Sequence, residues 1–564
     1  MFKQRQLSAL SACALAAVLA GCAAVGSGQP GAGPSSSTPA VAPPFSQTAS
    51  GAAPEAPSET EFCQNFFDAL ERRVQSRSVV DNGQQRLADF PFLRVDRFLA
   101  SFGHEFKRQL AQSSRGKKAA RSELRNSPAF AAWLEQMRTL DARARRHELA
   151  RMPESAFPIY HHQDRAQAIG DVERCGSLLT EALPADAVPT LLTEADVPDE
   201  YSALLRAVGL YPITGIGVAS SVRNWEAHQK GVFQQQRGRA TFSGRAAFQR
   251  YRPSDILPGD VARRQARDLL AAAPRDALGI PSFTDEQRQI LFAAFAPVYD
   301  IATINDSDRI GRLQWIDLRG LVRPQEDHFW LDVDTGAPVV YTRLDFTRFD
   351  GQILPQLVYT IWFSDRPQER NGDLQSGRLD GLVWRVTLDH DGRPLIYDSI
   401  QPSGRFAMFF PSRRLVFDKD ARAKEEPLTE WAYSPLDRSI EDWVGMQHPG
   451  SLALRISSRT HQLVGIAQPD SEWGSPSIDN PPYRLLPDDG LRALPKPDGG
   501  ARSIYDRNGT VPGSERRSRW LLWSMGLSGA GTIRQPGRQP TALIGRRHFD
   551  DAFLFEKRYR RVGE

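Results

Sequence analysis

The chain has 564 residues, 40% of them hydrophobic and 24% charged. This is the composition of an ordinary globular protein and excludes collagen-like, mucin-like and wholly disordered chains; beyond the N-terminus no apolar run approaches the roughly 18 residues of a membrane span, which excludes a polytopic membrane protein. With 71 basic against 67 acidic residues, there is no global field for nucleic acid.

The N-terminus carries the strongest pattern. Lys3 and Arg5 precede an apolar stretch from Leu7 to Ala20 that ends Leu19-Ala20-Gly21-Cys22. The stretch has the length of a secretion signal's hydrophobic region and is short for a stable span. Positive region, apolar region and final Cys together resemble a bacterial lipoprotein signal (residues 1–21). The resemblance implies cleavage before Cys22, diacylation of its sulfur and acylation of the new amine. Three acyl chains exceed the two signals that stable anchoring takes. Ala23 in place of Asp implies an outer-membrane address.

Residues 22–59 read as the lipidated Cys and a flexible tether. Gly, Ser, Pro, Ala and Thr make up 30 of the 37 residues from 23 to 59, too little apolar surface to offset ordering entropy. A flexible chain of this length spans roughly 35 Å. The folded body is expected to begin near Thr60. Cys13 leaves with the signal and Cys22 carries lipid, so Cys63 and Cys175 remain as one pair. In an oxidising compartment that pair is expected to form a disulfide, the alternative being two buried free thiols.

The expected fold class is α+β: a mainly helical region over 60–305, a β-rich region over 306–470, and an irregular basic tail over 471–564 packed on the body. Phe62, Phe66, Phe67 and Leu70 form a helical stripe. Ser127-Pro128 is an N-cap with a first-turn proline, followed by Phe130, Trp133, Leu134, Met137 and Leu140, which predicts a helix to about Leu149. Further helices are predicted near 199–208, 258–273 and 285–296, the last behind a Thr284/Gln287 capping box. An antiparallel meander is predicted over 312–417. In it, Asp334-Thr335-Gly336 joins 329–333 to 339–347, Asp391-Gly392 turns into 393–400, and 357–363, apolar on both faces apart from Thr360, is a central strand. The meander is expected to extend through 451–457 and 461–467.

Catalytic signatures are fragmentary. His104-Glu105 and His147-Glu148 each begin a zinc-protease motif without completing it, and there is no Gly-x-Ser-x-Gly. Ser114-x-x-Lys117 lacks its companion motifs. Gly215-x-Gly217-x-x-Ser220 reads as a helix start with tight packing. Asp332-x-Asp334-x-Gly336 and Asp389-His390-Asp391 read as turns, and His161-His162, His328 and His548 are scattered. No metal site or cofactor is expected. If not solvent-facing, Arg343, Asp345 and Arg385 on the polar sheet face are read as an ion-pair network under the helical half or a charged floor for an anionic ligand. Residues 501–564 hold 13 basic and 6 acidic residues, with Arg516, Arg517 and Arg519 beside Trp520 and Trp523. Neutralising those arginines is expected to test binding to an anionic envelope component.

The runs from Pro91 to Phe102, from Leu379 to Leu388 with Pro394 to Ile400, and from Ile544 to Asp550 resemble uncharacterised lipoproteins of proteobacteria, over most of the body. The resemblance implies His and Cys near 401–408, where this chain has Ser403, Arg405 and Ala407, so thiol or metal chemistry there is in doubt. The expected role is a lipid-anchored, periplasm-facing protein of the outer membrane, engaged in binding, scaffolding or assembly. Its partners are the membrane, through the acyl chains, and other envelope proteins or anionic envelope components, with no nucleic acid. The alternative is an envelope hydrolase or metal-assisted enzyme using the Asp/His turns.

Overall fold

The computed structural model describes residues 58–563, apart from Arg115, Asp255, Arg370 and the segments 162–163, 238–246, 321–326, 419–432, 472–476 and 542–546. The signal, Cys22 and most of the tether lie outside the described residues, as do His162 and the start of the run at Ile544. The body is α+β. Its first layer is helical: Glu59–Ser76, Arg97–Gln112, Lys117–Arg125, Pro128–Arg151, Arg165–Glu181 and Val188–Glu194. Four of these helices begin where capping side chains take up otherwise unpaired N–H groups. Ser58 accepts from Glu61 N, Asp96 from Leu99 N, Ser127 from Phe130 N and Asp164 from Gln167 N. The predicted stripes point inward: Phe66, Phe67, Leu70, Phe130, Trp133, Leu134 and Met137 share one core with Cys63 and Cys175. These two cysteines are bridged, with Cα atoms 5.0 Å apart, and tie the first helix to Arg165–Glu181.

The second layer is a six-stranded sheet in the order Met408–Pro411, Pro394–Ile400, Gly377–Leu388, Gln352–Arg366, Val339–Phe349, Arg484–Pro487. Five strands form an antiparallel meander; the sixth, from the tail, pairs parallel with Val339–Thr342. Gln352–Arg366 is central, as its two apolar faces predict. One face places Leu357, Tyr359, Ile361, Phe363, Trp384 and Val386 against the helices Gly259–Ala272 and Asp285–Phe295. Tyr359 donates its hydroxyl to the Phe292 carbonyl at 2.8 Å. The Thr284/Gln287 capping box forms in both directions.

Two strand expectations are corrected. Phe329–Asp334 does not form a hairpin with the strand after it; it pairs with Arg312–Asp317 in a separate two-stranded ribbon. Asp334 accepts from Gly336 N and Arg312 bonds its carboxylate. Pro338 then supplies no N–H to continue a ladder, and the chain passes from the ribbon into the sheet. Nor do the later strands extend the meander. Ala453–Ile456 and Leu463–Ala467 belong to a second, five-stranded sheet with Val298–Thr303, Ala247–Tyr251 and Ser477–Asp479. Ala453–Ile456 runs parallel to Val298–Thr303, a pairing that only a long connection can make. The Gly215-x-Gly217-x-x-Ser220 motif lies within the 27-residue helix Tyr211–Arg237 and does not open it.

The tail is structural cover for the six-stranded sheet. Phe549 packs with Val358, Val383, Ile400 and Ala407 on the sheet's second face. Tyr559–Arg561 pairs antiparallel with Leu415–Phe417. Arg492 bonds Asp81, and Arg538 bonds the Asn82 carbonyl, tying the tail to the start of the helical layer.

Candidate functional site

The polar sheet face predicted from Arg343, Asp345 and Arg385 exists, and the tail seals it. The register sets Arg343 beside Val358, Val358 beside Arg385, and Arg385 beside Asp398. Arg343 holds Asp345 at 2.8 Å and reaches Asp488 at 2.7 Å. Arg385 Nε donates to Asp398 at 2.9 Å and NH1 to the Phe549 carbonyl at 2.6 Å, with its guanidinium 3.6 Å from the Phe549 ring centre. Of the two readings, the ion-pair network is the one built, roofed by the tail rather than by the helical half. At its edge Asp96, Asp345 and Asp550 share a seam. Burial pushes Asp550 up to about 7 and Asp96 to about 6, and the neighbouring carboxylates add to both. Asp96 spends one oxygen on a helix cap. Asp550 lies 3.6 Å from Arg97 Nε.

The remaining Asp and His candidates stay apart. Burial alone would raise the Asp389 carboxyl, but Arg561 and Arg414 outweigh it and hold it down to about 2. His390 bonds Asp389 at 2.9 Å with its ring exposed to solvent. His147 pairs with Asp489 and His104 with Asp196. His161 stacks near Phe62 and Tyr160, His328 lies against Phe329, and His548 is buried where the tail bridges Pro540. Among the described residues no group of three or more His, Cys, Asp or Glu is placed to hold a metal ion.

A buried His461 cluster was not visible in the sequence. The imidazole stacks on Phe363 with centroids 3.8 Å apart. Nδ1 is 3.1 Å from Asp380 Oδ2 and Nε2 is 3.3 Å from Asp308 Oδ1. Asp380 also lies 3.6 Å from Arg516, whose NH1 donates to the Arg378 carbonyl. Close by, the turn 401–405 is fixed by Gln401 N on the Arg405 carbonyl, and Ser403 accepts from Arg405 Nε. Burial, then Arg366 and Arg516, push the Arg405 guanidinium down to about 9. The cluster joins residues far apart in sequence, so no local spacing announces it.

Its titration has a defined sign. Burial lowers the His461 pKa, but Asp308 and Asp380 outweigh burial and raise it. A raised pKa contributes stability that is complete below the unfolded value near 6.5 and is lost as pH rises through the folded value. Wild type is therefore expected to lose stability on the alkaline side, by about 1.4 kcal/mol for each unit of raised pKa. His461→Gln should flatten that limb. Urea midpoints of both proteins from pH 6 to 9 measure it, and parallel profiles would exclude the charged imidazole.

The surface carries a second candidate, an apolar patch. Leu204, Val208, Leu210, Ile213, Ile216, Trp520 and Leu521 are each 60–71% exposed. They lie on the helix Ala203–Val208, at Leu210 in the link after it, on the first half of Tyr211–Arg237 and on the short helix Arg519–Leu522. Three contacts join these pieces. Ser202 N donates to the Gly526 carbonyl at 2.8 Å, Tyr201 bridges Leu527, and Met525 packs on Ala219. Gly209 permits the approach, because a Cβ there would sit 2.6 Å from Ser524 Cα. Arg516 is buried against the strand Gly377–Leu388, whereas Arg517 is exposed and Arg519 lies 4.9 Å from the Trp520 ring centre. The three arginines therefore do not form one basic surface.

No protein-family model, curated protein or solved structure matches the chain. Among the described residues no helix is long and apolar enough to cross a membrane.

Proposed function

We propose that this chain is a lipid-anchored bacterial envelope protein whose body faces the periplasm in a binding, scaffolding or assembly role, similar to the proteobacterial lipoproteins that its runs resemble. The observation that carries the reading is the apolar patch. Clustered large apolar side chains left in water are a surface that a partner covers. The Cys63–Cys175 cystine supports an oxidising compartment, and the ordered parts of the N-terminal signal support acylation of Cys22. The Asp/His turns, each spent on local arginines or on neighbouring rings, give the alternative of a hydrolase little to work with.

Mature protein from a didermal host is expected to begin at Cys22, with two acyl chains on sulfur and one on the amine, and to float with membranes. Cys22→Ser should leave uncleaved or mislocalised precursor. Mass spectrometry of the N-terminal peptide decides it. A mature protein that begins elsewhere, or an unmodified Cys22, defeats the proposal.

A further inference from the structure

We infer that the apolar patch is a membrane-docking face: it lays the body on the phospholipid surface to which the acylated N-terminus is attached. This deepens the proposed function and rests on its lipid anchor. Residues 203–222 form a stretch of twenty with one charge, Arg206. That charge is turned inward: it is buried, bonds the Tyr201 hydroxyl at 2.9 Å and lies 3.3 Å from the Tyr211 ring centre. The exposed side of this stretch can therefore leave water without stripping hydration from an ion.

The shape of the exposure favours lipid over a protein groove. The seven side chains protrude rather than line a cleft, since each presents well over half of its surface. The helix Tyr211–Arg237 is held at its far half, where Trp225 meets Phe406 and Tyr433 and Phe233 is buried against Phe410 and Trp443. Its near half is left as the apolar tip. Beside that tip Trp520 carries the stacked guanidinium of Arg519, with Arg517 exposed next to it. An amphipathic ring with adjacent arginines is the composition that settles at headgroup depth. Elsewhere the acidic Glu200 is already held by Arg534 and Arg538.

The tether sets the geometry of encounter. The described body starts at Ser58, so residues 23–57 separate it from Cys22. A flexible chain of that length reaches on the order of 30–35 Å, against a radius of gyration of about 23 Å for a folded body of some 500 residues. Docking is then an intramolecular event at an effective concentration of roughly millimolar order. A patch with little affinity for free vesicles is sufficient.

The test uses the mature acylated chain, reconstituted in vesicles of phosphatidylethanolamine and phosphatidylglycerol with brominated acyl chains. Trp520 emission is read as the difference between wild type and Trp520→Phe. Docking predicts loss of most of that emission to the brominated chains and protection from aqueous acrylamide. Ile213→Asp with Ile216→Asp and Leu521→Asp should restore the emission, while the protein still floats through its acyl chains and melts at the wild-type temperature. Leu204→Ser with Val208→Ser, on the neighbouring helix, should act in the same direction. Trp520 that is quenched by acrylamide and untouched by bromolipid overturns the inference. So does Trp520 shielded from both with a doubled particle mass, which would assign the patch to a second copy. Failure of the anchor reads differently: Cys22 is unmodified and the protein stays in the aqueous phase. Failure of docking alone leaves an acylated, floating protein with its patch in water.

Discussion

Glu148→Ala is expected to destabilise the folded body by about 3–5 kcal/mol, the usual cost of stripping one partner from a buried ion network. Glu148 is fully buried on the helix Pro128–Arg151. It accepts from Arg94 NH2, Arg145 NH1 and the Asp81 amide, each at 2.8 Å. Arg94 Nε also bonds Asp141 at 2.9 Å, and Arg145 NH2 bonds Glu71 at the same distance. Removing the carboxylate leaves two buried guanidinium groups sharing fewer counter-charges, and a backbone N–H unpaired. Burial alone would raise the Glu148 pKa, but Arg94 and Arg145 outweigh it and hold the carboxyl below its usual range. Its contribution is therefore present above the unfolded value near 4.3 and is lost as pH falls through the folded value. Glu148→Gln, which keeps the shape without the charge, should cost less. Urea unfolding at pH 7 measures both, and a change below about 1 kcal/mol for the alanine variant would contradict the network's role.

Replacing Cys63 and Cys175 together by alanine is expected to cost up to about 4–5 kcal/mol, by loop entropy for a closure of this length. The bridge spans 112 residues. Both cysteines sit in the helical core among Phe66, Phe67 and Leu179, so the unbridged chain also loses packing. Oxidised and reduced wild type should separate by a similar amount in denaturant midpoint. Coincident curves would show that the loop is already restrained in the unfolded chain.

Much of the architecture was legible because local chemistry and long-range packing agree. The 128–151 helix has a cap, a first-turn proline and an apolar stripe, and each points to the same element. The central strand reads as apolar on both faces because helices cover one and the tail the other. Misreadings fall where the choice of strand partner has no local signal. The turn at Asp334 has hairpin chemistry, but the strand before it takes a different neighbour. Val298–Thr303 finds its partner at Ala453–Ile456, about 150 residues on, which no local period reveals. The buried ion network had a sequence signal that charge obscured. Asp141, Arg145 and Glu148 continue the stripe of Phe130, Leu134 and Met137 at steps of three and four, so they share its inward face. The patch was half legible: the Trp pair was singled out, but only the fold packs the 519–525 segment against the start of the helix Tyr211–Arg237.

The clasp between the tail and the helical layer bears on the order in which the fold can be completed. Arg492 on Asp81 and Arg538 on the Asn82 carbonyl join residues more than 400 positions apart, and the last residues supply a strand for Leu415–Phe417. A chain that emerges N-terminus first cannot close these contacts until residues 492–561 have emerged. Contacts of such sequence separation make folding slow, because the loop must be closed before any of them forms. Until then the polar face of the sheet stays unroofed, and the body is open on the side that the tail covers. Folding of the body is thereby coupled to the arrival of its tail: a nascent chain stopped before residue 484 lacks both the sixth strand of the sheet and the Phe549 cover on its second face.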